Sequence, residues 1–168
     1  MKELDSPEVL RFLEGHQASG LHVDDRLLGE VKRPGKVFVF TLATVDEFLS
    51  LVWQSIDASR PLVPAGRPRT LRDCALRLSQ FNWRFQALVQ AGFTWFEKCV
   101  AIDADFDYSK IRWIALTPLI ASEKRETPAG SHYIYDGVHK SIVLAKRVLS
   151  GQVDYAPVEA LLLTPRRS

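Results

Sequence analysis

A mixed α/β architecture is expected for this 168-residue chain, with a mainly helical portion covering a strand-rich core. Three observations lead there. Apolar residues recur at helical spacing over 45–56 and again over 71–89, each run behind a capping threonine. From residue 111 the pattern changes to strand, long polar loop, strand, helix, strand. The composition, 46% hydrophobic and 25% charged, is that of an ordinary globular protein and excludes a disordered or fibrous chain. The change of pattern divides the chain into residues 1–105, mainly helical, and residues 106–168, the core.

The first helix is signalled by Ser6-Pro7-Glu8, an N-cap serine followed by proline at the first helical position. Gly15 or Gly20 would end it, and residues 20–35 read as irregular. Lys36-Val37-Phe38-Val39-Phe40 is rich in β-branched and aromatic residues and reads as a strand. Thr44 and Glu47 then form a capping box for a helix whose Val45, Phe48, Leu49, Val52 and Ile56 share a face. Residues 59–68 contain three prolines and read as a stiff, non-helical connection. A long helix is expected from Thr70 to near Gly92, striped by Leu71, Cys74, Ala75, Leu78, Phe81, Phe85, Leu88 and Val89. Residues 93–105 fit either a helix or a buried strand. Asp103, Asp105 and Asp107 alternate but lack the glycine and closing glutamate of a calcium loop, so an exposed acidic turn is expected.

In the second part, residues 111–116 form a strand stopped by Thr117-Pro118, and a polar loop carries Glu123, Lys124, Arg125 and Glu126. His132-Tyr133-Ile134-Tyr135 is the next strand. Residues 138–150 make a helix ending at Gly151, and residues 157–163 make the last strand.

A net charge of +2 is too small for broad binding to a nucleic-acid backbone. Its distribution is uneven: residues 1–105 sum to −1 and residues 106–168 to +3. Arg67, Arg69, Arg72, Arg77 and Arg84, with Trp83, could form a nucleic-acid face or simply a solvated helix surface. Trp83 lies beside the main apolar stripe and is a candidate for a partner interface. Cys74 and Cys99 sit among apolar neighbours, match no metal spacing and read as small buried hydrophobes. With no apolar run long enough to cross a bilayer and no signal-like stretch at the start, a cytoplasmic protein with no membrane partner is expected.

Tyr135-Asp136-Gly137-Val138-His139-Lys140-Ser141 is the most informative segment. A strand, a glycine turn and a helix start make an anion site, because unpaired N–H groups and the positive helix end face the loop. Lysine is disfavoured in a first helical turn by the dipole, so Lys140 fits better with an anion beside it. His139 is a candidate hydrogen-bond donor to phosphate, or an acid–base group. The plainer alternative is a helix capped by Asp136 with a half-buried His139 and a solvated Lys140.

The same segment, with Ile114-Ala115-Leu116-Thr117-Pro118 before it and Tyr155-Ala156-Pro157-Val158-Glu159-Ala160-Leu161-Leu162 after it, resembles the ParB/sulfiredoxin-like superfamily over roughly residues 108–165. The matching turn is Asp136-Gly137-Val138-His139-Lys140, against an Asp-Gly-x-His-Arg pattern. The resemblance implies a ParB/sulfiredoxin-like core and a nucleotide-dependent enzyme, either a nucleotide hydrolase or nuclease or a kinase-like phosphotransferase. A nucleoside triphosphate, ATP or CTP, would be the ligand, with Mg2+ as a candidate companion. Gly137 and the amides of Val138, His139 and Lys140 would cradle phosphate, with Ser141 and Arg125 in the binding set. Asp136, His139 and Glu123 are the catalytic candidates, Asp136 or Glu123 as base or magnesium ligand and Glu126 as a weaker one. Val138 stands where sulfiredoxin needs cysteine, which excludes that chemistry. Lys140 replaces the usual arginine, keeping charge but losing bidentate geometry. No downstream DNA-binding helix-turn-helix is expected. The alternatives are a non-catalytic plasmid- or phage-encoded inhibitor or interaction protein, and a nucleotide-gated DNA-binding module.

Overall fold

The computed structural model describes residues 2–4, 7–9, 11, 14, 36–53, 57–63, 69–111, 114–118 and 132–164. Within these, six strands form one mixed sheet: β1 (Lys2–Leu4), β2 (Lys36–Leu42), β3 (Val52–Trp53), β4 (Ile114–Pro118), β5 (His132–Asp136) and β6 (Val158–Thr164), in the order β1-β2-β6-β4-β5-β3. β2 runs antiparallel to β1 and β6, β4 is parallel to β6 and antiparallel to β5, and β3 is parallel to β5. Among the described residues, five α-helices are bounded between Val45 and Leu149: α1 (Val45–Leu49), α2 (Leu71–Leu78), α3 (Phe85–Gln90), α4 (Glu97–Ala104) and α5 (Val138–Leu149); residues 7–9, 11 and 14 are helical too, where the first helix is expected. The mixed α/β class is therefore as expected. Three of the six strands come from residues 1–105, so the sheet runs through the 105/106 division.

Side-chain alternation explains how the sheet is buried. Along β6, Val158, Ala160 and Leu162 face a core that also holds Ile114, Leu116, Ile134 and the helices. Leu161 and Leu163 point to the opposite face, where Leu161 stands beside Ala115 in the parallel register and both are fully buried. α5 is the central helix of the layer. Both α2 and α4 pack on it, and Ser141 through Lys146 are all buried.

The structure corrects several expected elements. The capping box is present: Glu47 N donates to Thr44 Oγ1 at 3.2 Å, and Glu47 Oε2 accepts from Thr44 N at 3.0 Å. That helix nevertheless ends at Leu49, and Val52 and Trp53 form β3, although Val52 was expected on the helix face. Leu51, Val52 and Trp53 are buried in succession, as a strand covered on both sides allows and a one-sided helix does not. Residues 57–62, which overlap the proline-rich connection, form a 3-10 helix that accommodates Pro61.

The long helix expected from Thr70 to Gly92 is broken. Thr70 does cap α2, accepting from Asp73 N at 3.1 Å. A 3-10 turn follows at Ser79–Phe81, and then Asn82 and Trp83 both take positive φ, 54° and 59°. Trp83 N donates back to Leu78 O at 3.0 Å, which closes α2 before α3 begins. Residues 94–104 form a 3-10 turn and α4, so the helical alternative for 93–105 holds. Asp103 belongs to that helix and is mostly buried, not part of an exposed turn. Cys74 and Cys99 are buried and free, and burial pushes both thiols up, Cys74 to about 12.

Candidate functional site

The turn from β5 into α5 is built by a bulge, a glycine and a short hydrogen bond. Ala115 pairs with Asp136 but Leu116 pairs with Ile134, so β5 carries one extra residue just before the turn. Gly137 then takes φ 90° and ψ 15°, a region that side chains strain to enter. Its own N–H donates to Asp136 Oδ1 at 2.7 Å. A Cβ at Gly137 would stand 3.5 Å from Ile114 Cα, an ordinary contact, so the glycine is required by its backbone angle.

Gly137 provides no side-chain cap for α5, and Gly137 O accepts from both Ser141 N and Ser141 Oγ at 2.9 Å. Ser141 is fully buried with its hydroxyl turned back on the helix, out of reach of a phosphate at the helix end. The amides of Val138, His139 and Lys140 have no partner among the described residues.

His139 and Lys140 leave the turn in different directions. The His139 ring lies against Trp95, with centroids 4.1 Å apart, and Trp95 in turn stacks on buried Trp53 at 5.3 Å. Its Nε2 is buried without a hydrogen-bond partner among the described residues. Burial, with a smaller push from the Lys98 ammonium, lowers the imidazole to about 4 against an opposing hydrogen bond to the Trp95 backbone. The ring is therefore neutral at pH 7, and its side chain is committed to the helical layer rather than the turn.

Lys140 is half-buried and lines a cleft of about 260 Å³ together with Ala101, Ile102 and Ile111. Asp105, Asp107 and Lys110 complete the lining. Burial holds the Lys140 ammonium below its ordinary range, and the nearby Asp136 carboxylate partly offsets this. No residue among those described forms an ion pair with it.

Among the described residues no three metal-binding side chains converge, and Asp136 already spends one oxygen on Gly137 N. Glu123, Lys124, Arg125 and Glu126 lie outside the described residues. Sequence reading missed the partners that decide the site: Trp95 and Lys98 around His139, and Asp107 and Lys110 in the cleft. The one local signal was an aspartate two residues before a serine, the spacing of an Asx turn. Asp107 Oδ1 accepts from Ser109 N and Oγ at 2.9 and 2.7 Å.

The candidate nucleic-acid face is largely used elsewhere. Arg69 is buried, Arg72 pairs with Asp46, and Arg77 Nε donates to Pro61 O at 2.6 Å. Arg84 is exposed, Arg67 lies outside the described residues, and Trp83 packs half-buried against the core. No family model, curated protein or solved structure matches the chain.

Proposed function

We propose that the chain is a nucleotide-binding protein of ParB/sulfiredoxin-like type that receives the phosphates of ATP or CTP at the Gly137 turn. The observation that carries this reading is the uncapped start of α5, where three successive amides stand open beside a half-buried Lys140 with no ion-pair partner among the described residues. An anion there would satisfy the open amides, meet the positive end of the helix dipole and neutralise the lysine. A lysine in a first turn is otherwise destabilising by a few tenths to about 1 kcal/mol.

Turnover would fall to hydrolysis or phosphoryl transfer, with the Asp136 carboxylate as the base adjoining the turn. His139 contributes its backbone N–H, since its ring is neutral and stacked on Trp95. That commitment of the ring favours the non-catalytic alternative, a protein that binds nucleotide and acts through a partner, over fast turnover.

Calorimetric titration with ATP, CTP and ADP, with and without Mg2+, tests the reading, and phosphate release in the same samples separates binding from turnover. At least one nucleotide is expected to bind, with Lys140→Gln weakening it about tenfold, equivalent to about 1.4 kcal/mol. No binding by any of the three, or the same Kd in Lys140→Gln, would overturn it.

A further inference from the structure

The cleft beside the turn holds two opposite charges that do not meet. Lys140 enters from the first turn of α5 and has no ion-pair partner among the described residues. Asp107 enters from the segment after α4. Its Oδ1 caps the 3-10 turn through Ser109 N and Oγ, and its second oxygen accepts nothing among the described residues. Those hydrogen bonds, with Lys110 nearby, keep the Asp107 carboxylate below its ordinary range and ionised at neutral pH. The remaining two charges, Asp105 and Lys110, pair with each other at 3.5 Å in an exposed, weak contact. The rest of the cleft lining is apolar: Ala101, Ile102 and Ile111.

We propose that this cleft binds a small amine-bearing anion, its anionic group on the Lys140 ammonium and its ammonium on the Asp107 carboxylate. A short methylene spacer would lie against the apolar lining. The volume of about 260 Å³ lies just under the roughly 300–1,000 Å³ typical of pockets for drug-sized ligands, which suits a compact molecule. Lys140 is half-buried and Asp107 is exposed, so the anionic end contributes the larger share and the ammonium end adds a weaker, solvent-screened contact. ω-Amino carboxylates and phosphorylated alkylamines share this chemistry. The inference does not rest on the nucleotide reading, although both use Lys140.

The experiment titrates the full chain with 4-aminobutyrate and with phosphoethanolamine, using butyrate, inorganic phosphate and butylamine as single-charge controls. Binding is read by calorimetry and by backbone amide shifts at Ala101 and Ile111. At least one doubly charged probe is expected to bind about threefold or more tightly than every single-charge control, and the better one identifies the anionic group. Lys140→Gln is expected to lower that affinity about tenfold and Asp107→Asn, which keeps an acceptor for Ser109, about threefold, while thermal melting stays close to the parent. Asp107→Asn is expected to leave nucleotide affinity unchanged, so the two readings fail separately. Equal affinity for a single-charge control, no binding of either doubly charged probe at 10 mM (about 2.7 kcal/mol), or unchanged affinity in both variants would overturn the proposal.

Discussion

His139 illustrates how burial changes what a residue can do. In the sequence it stands two positions after a glycine turn and reads as a phosphate ligand or acid–base group. In the structure the same imidazole lies on Trp95 with Nε2 enclosed. An unfolded histidine takes up its proton near pH 6.5, whereas this one does so only at about 4. Between those values the unfolded chain binds more protons, so stability rises with pH across the window and is lost as pH falls from 6.5 toward 4. Discounted for the part of the ring that solvent screens, the loss between pH 7 and pH 5 is about 1 kcal/mol. Urea unfolding at the two pH values, compared with His139→Phe, checks this: the variant is expected to lose that part of the pH dependence. The glycine turn itself was legible in the sequence because its cause is local. The direction of the His139 side chain was not, because Trp95, stacked on Trp53, reaches it from elsewhere in the chain.

At the scale of elements, α4 and α5 are joined by a buried polar clamp. Lys146 Nζ donates to both oxygens of Asp103, at 3.1 and 2.8 Å, and to Gln152 Oε1 at 3.1 Å. Arg147 Nε donates to Asp103 Oδ1 at 2.8 Å, and its guanidinium lies 4.4 Å from the centre of the Phe106 ring. Lys146 is 4% exposed, so removing its carboxylate leaves a charge with little water to turn to. Asp103→Ala is therefore expected to destabilise the protein by about 3–5 kcal/mol in denaturant titration. Asp103→Leu combined with Lys146→Met should recover part of that loss, because it removes the more deeply buried cation and leaves only Arg147, which is more exposed, without its carboxylate. Asp103 reads from sequence as one of three alternating acids. Its role depends on residues more than forty positions away. The same limit explains the broken helix at Asn82–Trp83: the apolar stripe continues through the break, and only packing of α3 decides that the chain must turn there.

Across the whole molecule, the sheet ties the two parts of the chain together. β6, from the second part, pairs over seven residues with β2, from the first. β5 pairs with β3, and α5 packs under α2 and α4. A fragment of residues 106–168 would expose those edges and the apolar face of α5. Expressed alone, it is expected to show no cooperative thermal transition by circular dichroism, while the full chain melts in one step. Independent folding of the fragment would instead make the first part an addition to a self-sufficient core. Caps, turns and periodicities were present in the sequence: the Thr44 box, the Thr70 cap, the Gly137 turn and the α5 and β6 patterns all depend on residues a few positions apart. The joining of β1, β2 and β3 to the C-terminal strands, the placement of His139 on Trp95, and the facing of Lys140 and Asp107 across one cleft belong to the tertiary structure. Each brings together residues distant in the chain, and the burial and pairing that set their chemistry exist only once those residues meet.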